Sequence, residues 1–479
     1  MNSPERLPLA PDPAMRALFD RQAATAQRLR SSTAQERIAK IRRLRDAVIA
    51  HTTDWYAAAQ QDFAKPPGEV DLAEILPVCL EANEAIRHLK KWMKPKRVWP
   101  TLLTLGTRSH IQTVPRGRCL IIGPFNYPLN LTLGPLISAI AAGNTAIVKP
   151  SELTPATAKL IGQVVREVFS DDEVAVFEGE ADVAQALQVL PFDHVFFTGS
   201  PAIGKLVMAA AAKNLASVTL ELGGKSPTIV DASADLALAA SNIMWAKFAN
   251  AGQTCIAPDH VYVHASVKEA WLRCCAAELE RAYGATLADQ QASPDFGRIV
   301  NARHAARLTA LLDDATTRGA RVVVGGGVIE ADRFMQPTLL DQVPADARIM
   351  QEEIFGPLLP VIAYTDLDAV VQHINAGPKP LALYLYSRTA AHIDAVLVQT
   401  ASGGACINHA LMQYLNSNLP FGGINNSGIG NAHGHFGFKA FSHERGVVRT
   451  QFSFAATAFK AGATAPLVRR LVKAALRYL

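Results

Sequence analysis

Cys255 and Glu221 are the two residues whose types and settings suggest bond chemistry. Cys255 lies in Asn250-Ala251-Gly252-Gln253-Thr254-Cys255-Ile256-Ala257-Pro258-Asp259, a turn with little in it to bury a thiol. Glu221 closes the apolar run Ser217-Val218-Thr219-Leu220 and precedes Gly223-Gly224-Lys225-Ser226-Pro227. The thiolate is the reactive form of cysteine, and a free thiol titrates at about 8.5, so a nucleophilic cysteine needs help to ionise. A carboxyl whose pKa is raised by partial burial can take a proton from water. Together they suggest covalent capture followed by hydrolysis. Both also have plainer uses. Most cysteines are buried packing residues, and an acid before two glycines can cap a helix or shape a turn.

Other groups could serve the same reaction. Asn126 in Gly123-Pro124-Phe125-Asn126-Tyr127-Pro128 follows an apolar run and leads into a helix. Its amide could donate to an oxyanion, worth about 3 to 4 kcal/mol, or simply cap that helix. In Lys149-Pro150-Ser151-Glu152, Lys149 could bind ribose hydroxyls and Glu152 could accept from the adenosine 2′-hydroxyl. A turn before the next helix is the alternative. Gly199-Ser200-Pro201-Ala202-Ile203-Gly204-Lys205 follows a strand and opens a helix, a place for a phosphate. It resembles a P-loop, but Leu206 stands where a magnesium-binding hydroxyl would be required, which argues against an ATPase. Glu353 and Phe355, on the turn Glu353-Ile354-Phe355-Gly356-Pro357, could orient a ribose and its ring, or form a plain loop.

An α/β frame would bring these strand-end groups together. Cys119–Ile122, Thr145–Val148, His194–Phe197 and Ser217–Leu220 are short continuous apolar runs, separated by helical stretches such as Leu131–Ala142, Ala156–Phe169 and Ala202–Ala212. That alternation predicts a parallel, doubly wound sheet with ligands at its carboxyl edge. A second block runs from Pro227 to about Gly423, with strands near 228–230, 261–263, 322–324, 359–363, 382–386 and 405–407. Helices at 234–248 and 302–315 fall between them, and Cys255 follows the first. A cleft between two α/β domains is where Cys255 and Glu221 would meet. Upstream, residues 14–62 and 68–93 read as helices, with a capping box at Thr33-Ala34-Gln35-Glu36. Thr107–Val114 reads as an exposed strand of a hairpin.

The chain has 479 residues, enough for two or three domains. Its net charge is +5 with dispersed basic residues. The cluster Lys90, Lys91, Lys94, Lys96 and Arg97 reads as a solvated helix end, so no nucleic-acid partner is expected. Six scattered cysteines, none in CxxC spacing, fit a reducing compartment, a cytoplasmic location and no metal site. Met1–Asp12 lacks the apolar core of a signal peptide, and no apolar run reaches the length of a membrane span.

Taken together, GPFNYP, KPSE, FTGSPAIGK, ELGGKSP, GQTCIAPD, EEIFGP and PFGGINNSGIG, in this order over residues 123–430, resemble the aldehyde dehydrogenase superfamily. GQTCIAPD, His433-Gly434-His435-Phe436 and Phe441-Ser442-His443 resemble its class 3 branch of fatty, aromatic and coniferyl aldehyde dehydrogenases. The resemblance implies NAD(P)-dependent oxidation of an aldehyde to a carboxylic acid. Cys255 would form a thiohemiacetal and then a thioester, Asn126 and the Cys255 N–H would hold the oxyanion, and Glu221 would activate water. Lys149 and Glu152 would bind the adenosine ribose, Ser200 and the Gly199–Gly204 turn the pyrophosphate, and Glu353 and Phe355 the nicotinamide end. Glu152 favours NAD, although this branch often takes NADP as well.

The implied architecture is an α/β fold with a five-stranded Rossmann-like cofactor domain (1–97 and 117–222) and an α/β catalytic domain (223–423). A β-hairpin oligomerisation arm (98–116 and 434–450) would make a homodimer. Two departures stand out. Phe125 replaces a frequent Trp, and Asn425-Asn426 replaces a commoner small pair near the substrate funnel. Tyr127, Trp245, Tyr414 and Phe421 could line a funnel for aromatic or medium- to long-chain aliphatic aldehydes, or belong to the core. Glu221 argues against an acylating enzyme that passes its thioester to coenzyme A. Retention of Asn126, Glu221 and Cys255 together argues against a catalytically silent homologue.

The tail, 464–479, reads as a basic amphipathic helix begun by Thr464 and Pro466. Val468, Leu471, Val472, Ala475, Leu476 and Leu479 form its stripe, and Arg469, Arg470, Lys473 and Arg477 lie off it. It would pack on the protein or its partner subunit, or lie on an anionic membrane.

Overall fold

Each of the four apolar runs becomes a buried strand of one sheet in the computed structural model, which describes residues 11–101, 104–450 and 466–477. Arg118–Ile122, Thr145–Lys149, His194–Gly199 and Ser217–Leu222 are parallel, because helical crossovers return the chain to the same edge each time. The sheet order is Gly428–Ile429, Ser217–Leu222, His194–Gly199, Arg118–Ile122, Thr145–Lys149, Val174–Val176. Val174–Val176 supplies the fifth parallel strand that the resemblance implied. Its three residues are too few to show a periodicity in sequence. Gly428–Ile429 adds a short antiparallel edge, paired with Leu220 and Glu221.

Both faces of a parallel sheet must be covered. Asn130–Ala142 and Pro155–Val168 pack in one core with the N-terminal helices Ala34–Ala50, Thr52–Phe63 and Leu76–Trp92, where Ile41, Leu44, Val78 and Leu89 are fully buried. The Thr33/Glu36 capping box forms as expected. Pro201–Ala212 covers the other face.

The second sheet runs Arg321–Val324, Thr338–Asp341, Leu358–Tyr364, His260–His264, Pro227–Val230, Ala382–Tyr386, Gly404–Ile407. All pairs are parallel except the first, which is antiparallel. Every strand expected in this block forms, and Thr338–Asp341 joins them. Only Gly223, Gly224, Lys225 and Ser226 separate the last parallel strand of the first sheet from Pro227–Val230 of the second. The chain therefore crosses between the two sheets one residue after Glu221.

Lys96–Val98, Thr107–Pro115 and Ser442–Thr450 form a separate antiparallel sheet, so the arm begins slightly before 98. Within the expected 434–450 segment, Gly434–Ala440 is instead a helix. Phe438 and Phe441 are buried in the same core as Asn130–Ala142 and the N-terminal helices, which ties the base of the arm to the first sheet's unit. Pro466–Ala475 is helical, as expected of the tail, whereas Thr464 and Leu479 lie outside the described residues.

Candidate active site

The turn that carries Cys255 is held in an unusual backbone shape. After the helix Leu236–Phe248, Asn250, Ala251 and Gly252 take φ of 54°, 52° and 77°. Left-handed backbone at two non-glycine residues in a row is strained and persists only where the surroundings impose it. Gly252 is required, since a Cβ there would stand 2.3 Å from the Gly356 carbonyl oxygen.

Two cavities meet at this turn. An apolar cavity of about 250 Å³ is lined by Leu72, Leu76, Tyr127, Trp245, Tyr414 and Phe421, among others. A larger cleft of about 920 Å³ is lined by Asn126, Lys149, Glu152, Gly199, Ser200, Glu353 and Phe355. Thr198, Glu221, Leu222 and Cys255 border both. All four aromatic residues expected at the funnel are at the first cavity. Tyr127 Oη pairs with Thr254 Oγ1 at 2.6 Å, and Tyr414 Oη accepts from Asn130 Nδ2 at 2.6 Å. These contacts engage both phenols within the protein. Asn425-Asn426 departs from expectation. Neither residue lines the cavity, and Asn425 sits in an exposed turn, its Oδ1 accepting from Lys379 Nζ at 2.8 Å.

Cys255 is half-buried rather than open. Burial pushes its thiol up to about 12, and the neighbouring carboxyls of Glu353 and Glu221 act in the same direction. Glu221 is buried, and neither carboxyl oxygen has a hydrogen-bond partner. Burial alone holds its pKa well above the ordinary carboxylate value. No helix follows it, so it caps nothing. An unpartnered buried carboxyl is costly unless a ligand or water uses it.

Asn126 is also buried, and the next helix starts at Asn130, so it is not that helix's cap. Its carbonyl accepts from Lys65 Nζ at 3.0 Å and Asn250 Nδ2 at 2.9 Å. Lys149 and Glu152 form an ion pair beside the cleft. Ser200 caps Pro201–Ala212 by accepting from Ile203 N at 3.4 Å. Gly204 has a packing role, since a Cβ would come within 2.6 Å of Leu222. Glycine there lets the helix approach the sheet. Glu353 is raised to about 7 by burial and Asp259, against the pull of the Gly224 main chain, Lys225 and Arg307. Its carboxyl lies where a Gly223 Cβ would be, 2.3 Å from Oε2. Phe355 meets Phe125 edge to face at 5.7 Å, and Phe125 lies 5.4 Å from His304.

The aldehyde dehydrogenase family model matches residues 7–447. The chain belongs to the aldehyde dehydrogenase family. It is 46% identical over 433 residues to the putative aldehyde dehydrogenase AldX of Bacillus subtilis (strain 168), covering 90% of this chain and 96% of that one. It is 41% identical over 425 residues to aldehyde dehydrogenase family 3 member B1 of Rattus norvegicus, covering 89% of each. The solved substrate-bound state of Staphylococcus aureus AldH superposes with a TM-score of 0.90 at 41% identity, covering 96% of this chain and 99% of that one.

As a member of this family the chain is an oxidoreductase acting on aldehydes with NAD or NADP. The larger cleft fits a dinucleotide. Its volume suits a cofactor, Lys149, Lys213, Arg303 and Arg307 bring positive charge to it, and the buried Thr198 hydroxyl and Glu221 carboxyl beside it are unpartnered.

Lys65, with its ion-pair partner Glu74, and Asn250 were not legible as neighbours of Asn126. Lys65 and Glu74 sit far upstream in a helical region, where a buried ion pair leaves no local pattern. Asn250 lay inside the cysteine turn itself, and its position beside Gly252 was the available clue.

Proposed function

We propose that Cys255 is the nucleophile of a hydrolytic aldehyde dehydrogenase and that Glu221 activates its water. The observation that carries this is the unpartnered, buried Glu221 carboxyl, which shares with Cys255 the junction of the two cavities. Cys255 Sγ loses its proton to water and bonds to the aldehyde carbon, while the C=O π bond opens and leaves its electron pair on oxygen as an oxyanion. Asn126 Nδ2 and the Cys255 main-chain N–H donate hydrogen bonds to that oxygen. When bound, NAD or NADP supplies the acceptor for the hydride leaving this carbon, so that Cys255 is left as a thioester. Glu221, as carboxylate, takes a proton from water, whose oxygen attacks the thioester carbon. The C–S bond then breaks and the carboxylic acid departs.

Lys149, Glu152, Gly199, Ser200, Glu353 and Phe355 would hold the cofactor, all from the lining of one cleft. The two sheets would divide the work as cofactor domain (1–97 and 117–222) and catalytic domain (223–423). The three-stranded arm would carry the homodimer contact, because its strands stand outside both sheets. The apolar cavity favours aromatic or medium- to long-chain aliphatic aldehydes. Free thiols at all six cysteines fit a reducing, cytoplasmic setting.

No helix among the described residues is long and apolar enough to cross a membrane. In Pro466–Ala475 and the turn after it, Val472 and Leu476 are exposed together with Arg469, Arg470, Lys473 and Arg477. That mixture suits peripheral contact with an anionic membrane. Product analysis with benzaldehyde and NAD, with and without coenzyme A, tests the hydrolytic reading. Benzoate in both cases is expected, and benzoyl-coenzyme A as the main product would refute it.

A further inference from the structure

Lys65 and Asn250 have no part in the chemistry above, yet both donate to one carbonyl of the site. Ala64, at φ 50°, turns the chain after Thr52–Phe63 and sends Lys65 inward, where its side chain has no exposed surface. Lys65 Nζ donates to Glu74 Oε1 at 2.7 Å and to Asn126 O at 3.0 Å. It also lies 4.3 Å from the Tyr127 ring centroid. Glu74 Oε2 accepts from Asn130 N at 3.0 Å, so the same ion pair holds the start of the helix after Asn126.

Asn250 approaches from the other side. Its Nδ2 donates to Asn126 O at 2.9 Å and to Gln253 O at 3.1 Å. Its main-chain N donates to both Glu69 carboxyl oxygens at 3.0 Å. Its carbonyl accepts from Gln253 N at 3.1 Å and Gln253 Nε2 at 3.0 Å. One side chain thus bridges the Asn126 loop and the turn that carries Cys255.

A carbonyl oxygen has two lone pairs, and here both are used. Filling both fixes the peptide plane after Asn126, and with it the direction in which the Asn126 side chain leaves the backbone. The second oxyanion donor, the Cys255 N–H, belongs to the turn that Asn250 braces. We propose that Lys65 and Asn250 are positioning residues that hold the Asn126 main chain against the Cys255 turn and so set the spacing of the two oxyanion donors. This rests on the reading that Asn126 supplies one of those donors. Donors only help when they sit where charge develops, and small misplacements lose much of the rate.

The test is the pre-steady-state burst of NADH from full-length protein with benzaldehyde and saturating NAD. Asn250→Gly keeps a backbone that accepts φ of 54° and removes only the amide contacts. Lys65→Met combined with Glu74→Gln removes the other donor together with its ion-pair partner. Asn126→Ala is expected to slow the burst by about 10²- to 10³-fold. Each positioning variant is expected to slow it by about 10- to 100-fold, with the KM for benzaldehyde and the Kd for NAD changed less than about 3-fold. Added to Asn126→Ala, each is expected to cause no more than about a 3-fold further loss. A role confined to folding would lower the melting temperature and multiply the losses. Multiplicative losses, or an unchanged burst in either folded variant, overturn the inference while leaving the oxyanion role of Asn126 intact. An unchanged burst in Asn126→Ala overturns both. If Asn250→Gly does not fold, the Lys65/Glu74 pair of substitutions decides the matter by the same criteria.

Discussion

Cys255 and Glu221 border the same junction, where the apolar cavity meets the larger cleft, and burial raises the pKa of both. The Cys255 thiol is therefore protonated at neutral pH, burial favours the neutral form of Glu221, and each must lose its proton to act. The sign of the pH dependence follows. With the thiol pushed up to about 12 and the Glu221 carboxyl also raised, activity is expected to climb as pH rises from about 6 to 9. Burst rates across that range follow the Cys255 step, and steady-state turnover follows the later Glu221 step. A flat or falling profile in both would show that neither deprotonation limits the reaction.

Much of this arrangement was legible before the fold was known. Short apolar strands ending in polar signatures placed Asn126, Lys149, Ser200 and Glu221 at one edge, because a parallel sheet aligns its strand ends. Cys255 and Glu221 were expected at a boundary between two sheets, and the four-residue crossing after Leu222 explains why they are. Three things were hidden. Val174–Val176 and Gly428–Ile429 are too short to show a period. Gly434–Ala440 was expected in the arm, but Phe438 and Phe441 pull it into the core. The Lys65–Glu74 pair joins residues to Asn126 across a distance in sequence that no local pattern encodes.

The same cavity geometry sets an expectation for substrate. An apolar chamber of about 250 Å³ beside Cys255 rewards apolar bulk until it is full. Each buried methylene is worth about 0.8 kcal/mol, close to fourfold in kcat/KM. Alkanals from butanal to octanal, and benzaldehyde, are expected to exceed acetaldehyde by at least about tenfold. An NADH-production screen over these aldehydes measures the trend, and a preference for acetaldehyde contradicts it.

Filling the cavity from the inside should reverse that trend. Ala249 lines the chamber together with Trp245, so Ala249→Phe is expected to raise the KM for octanal about tenfold or more while sparing acetaldehyde. Steady-state kinetics with both aldehydes test this. Equal losses for both would place the substrate elsewhere.

The basic tail gives a separate expectation. Full-length protein should co-sediment with vesicles containing phosphatidylserine, and a chain ending at Phe454 should not. The binding should weaken with added salt. Equal partitioning of the two chains removes the membrane role and leaves the helix to protein contacts.

The most direct measurement concerns the fate of the thioester. In Glu221→Gln, the thiol and the oxyanion donors remain, but the base for water is gone. With benzaldehyde and NAD, the variant should release about one NADH per active site and then slow by at least about 10²-fold. Intact-mass and peptide analysis at the stall should find a benzoyl group on Cys255. Unimpaired steady turnover by Glu221→Gln, or a stalled enzyme with no acyl group on Cys255, would contradict covalent catalysis by Cys255 with hydrolysis through Glu221.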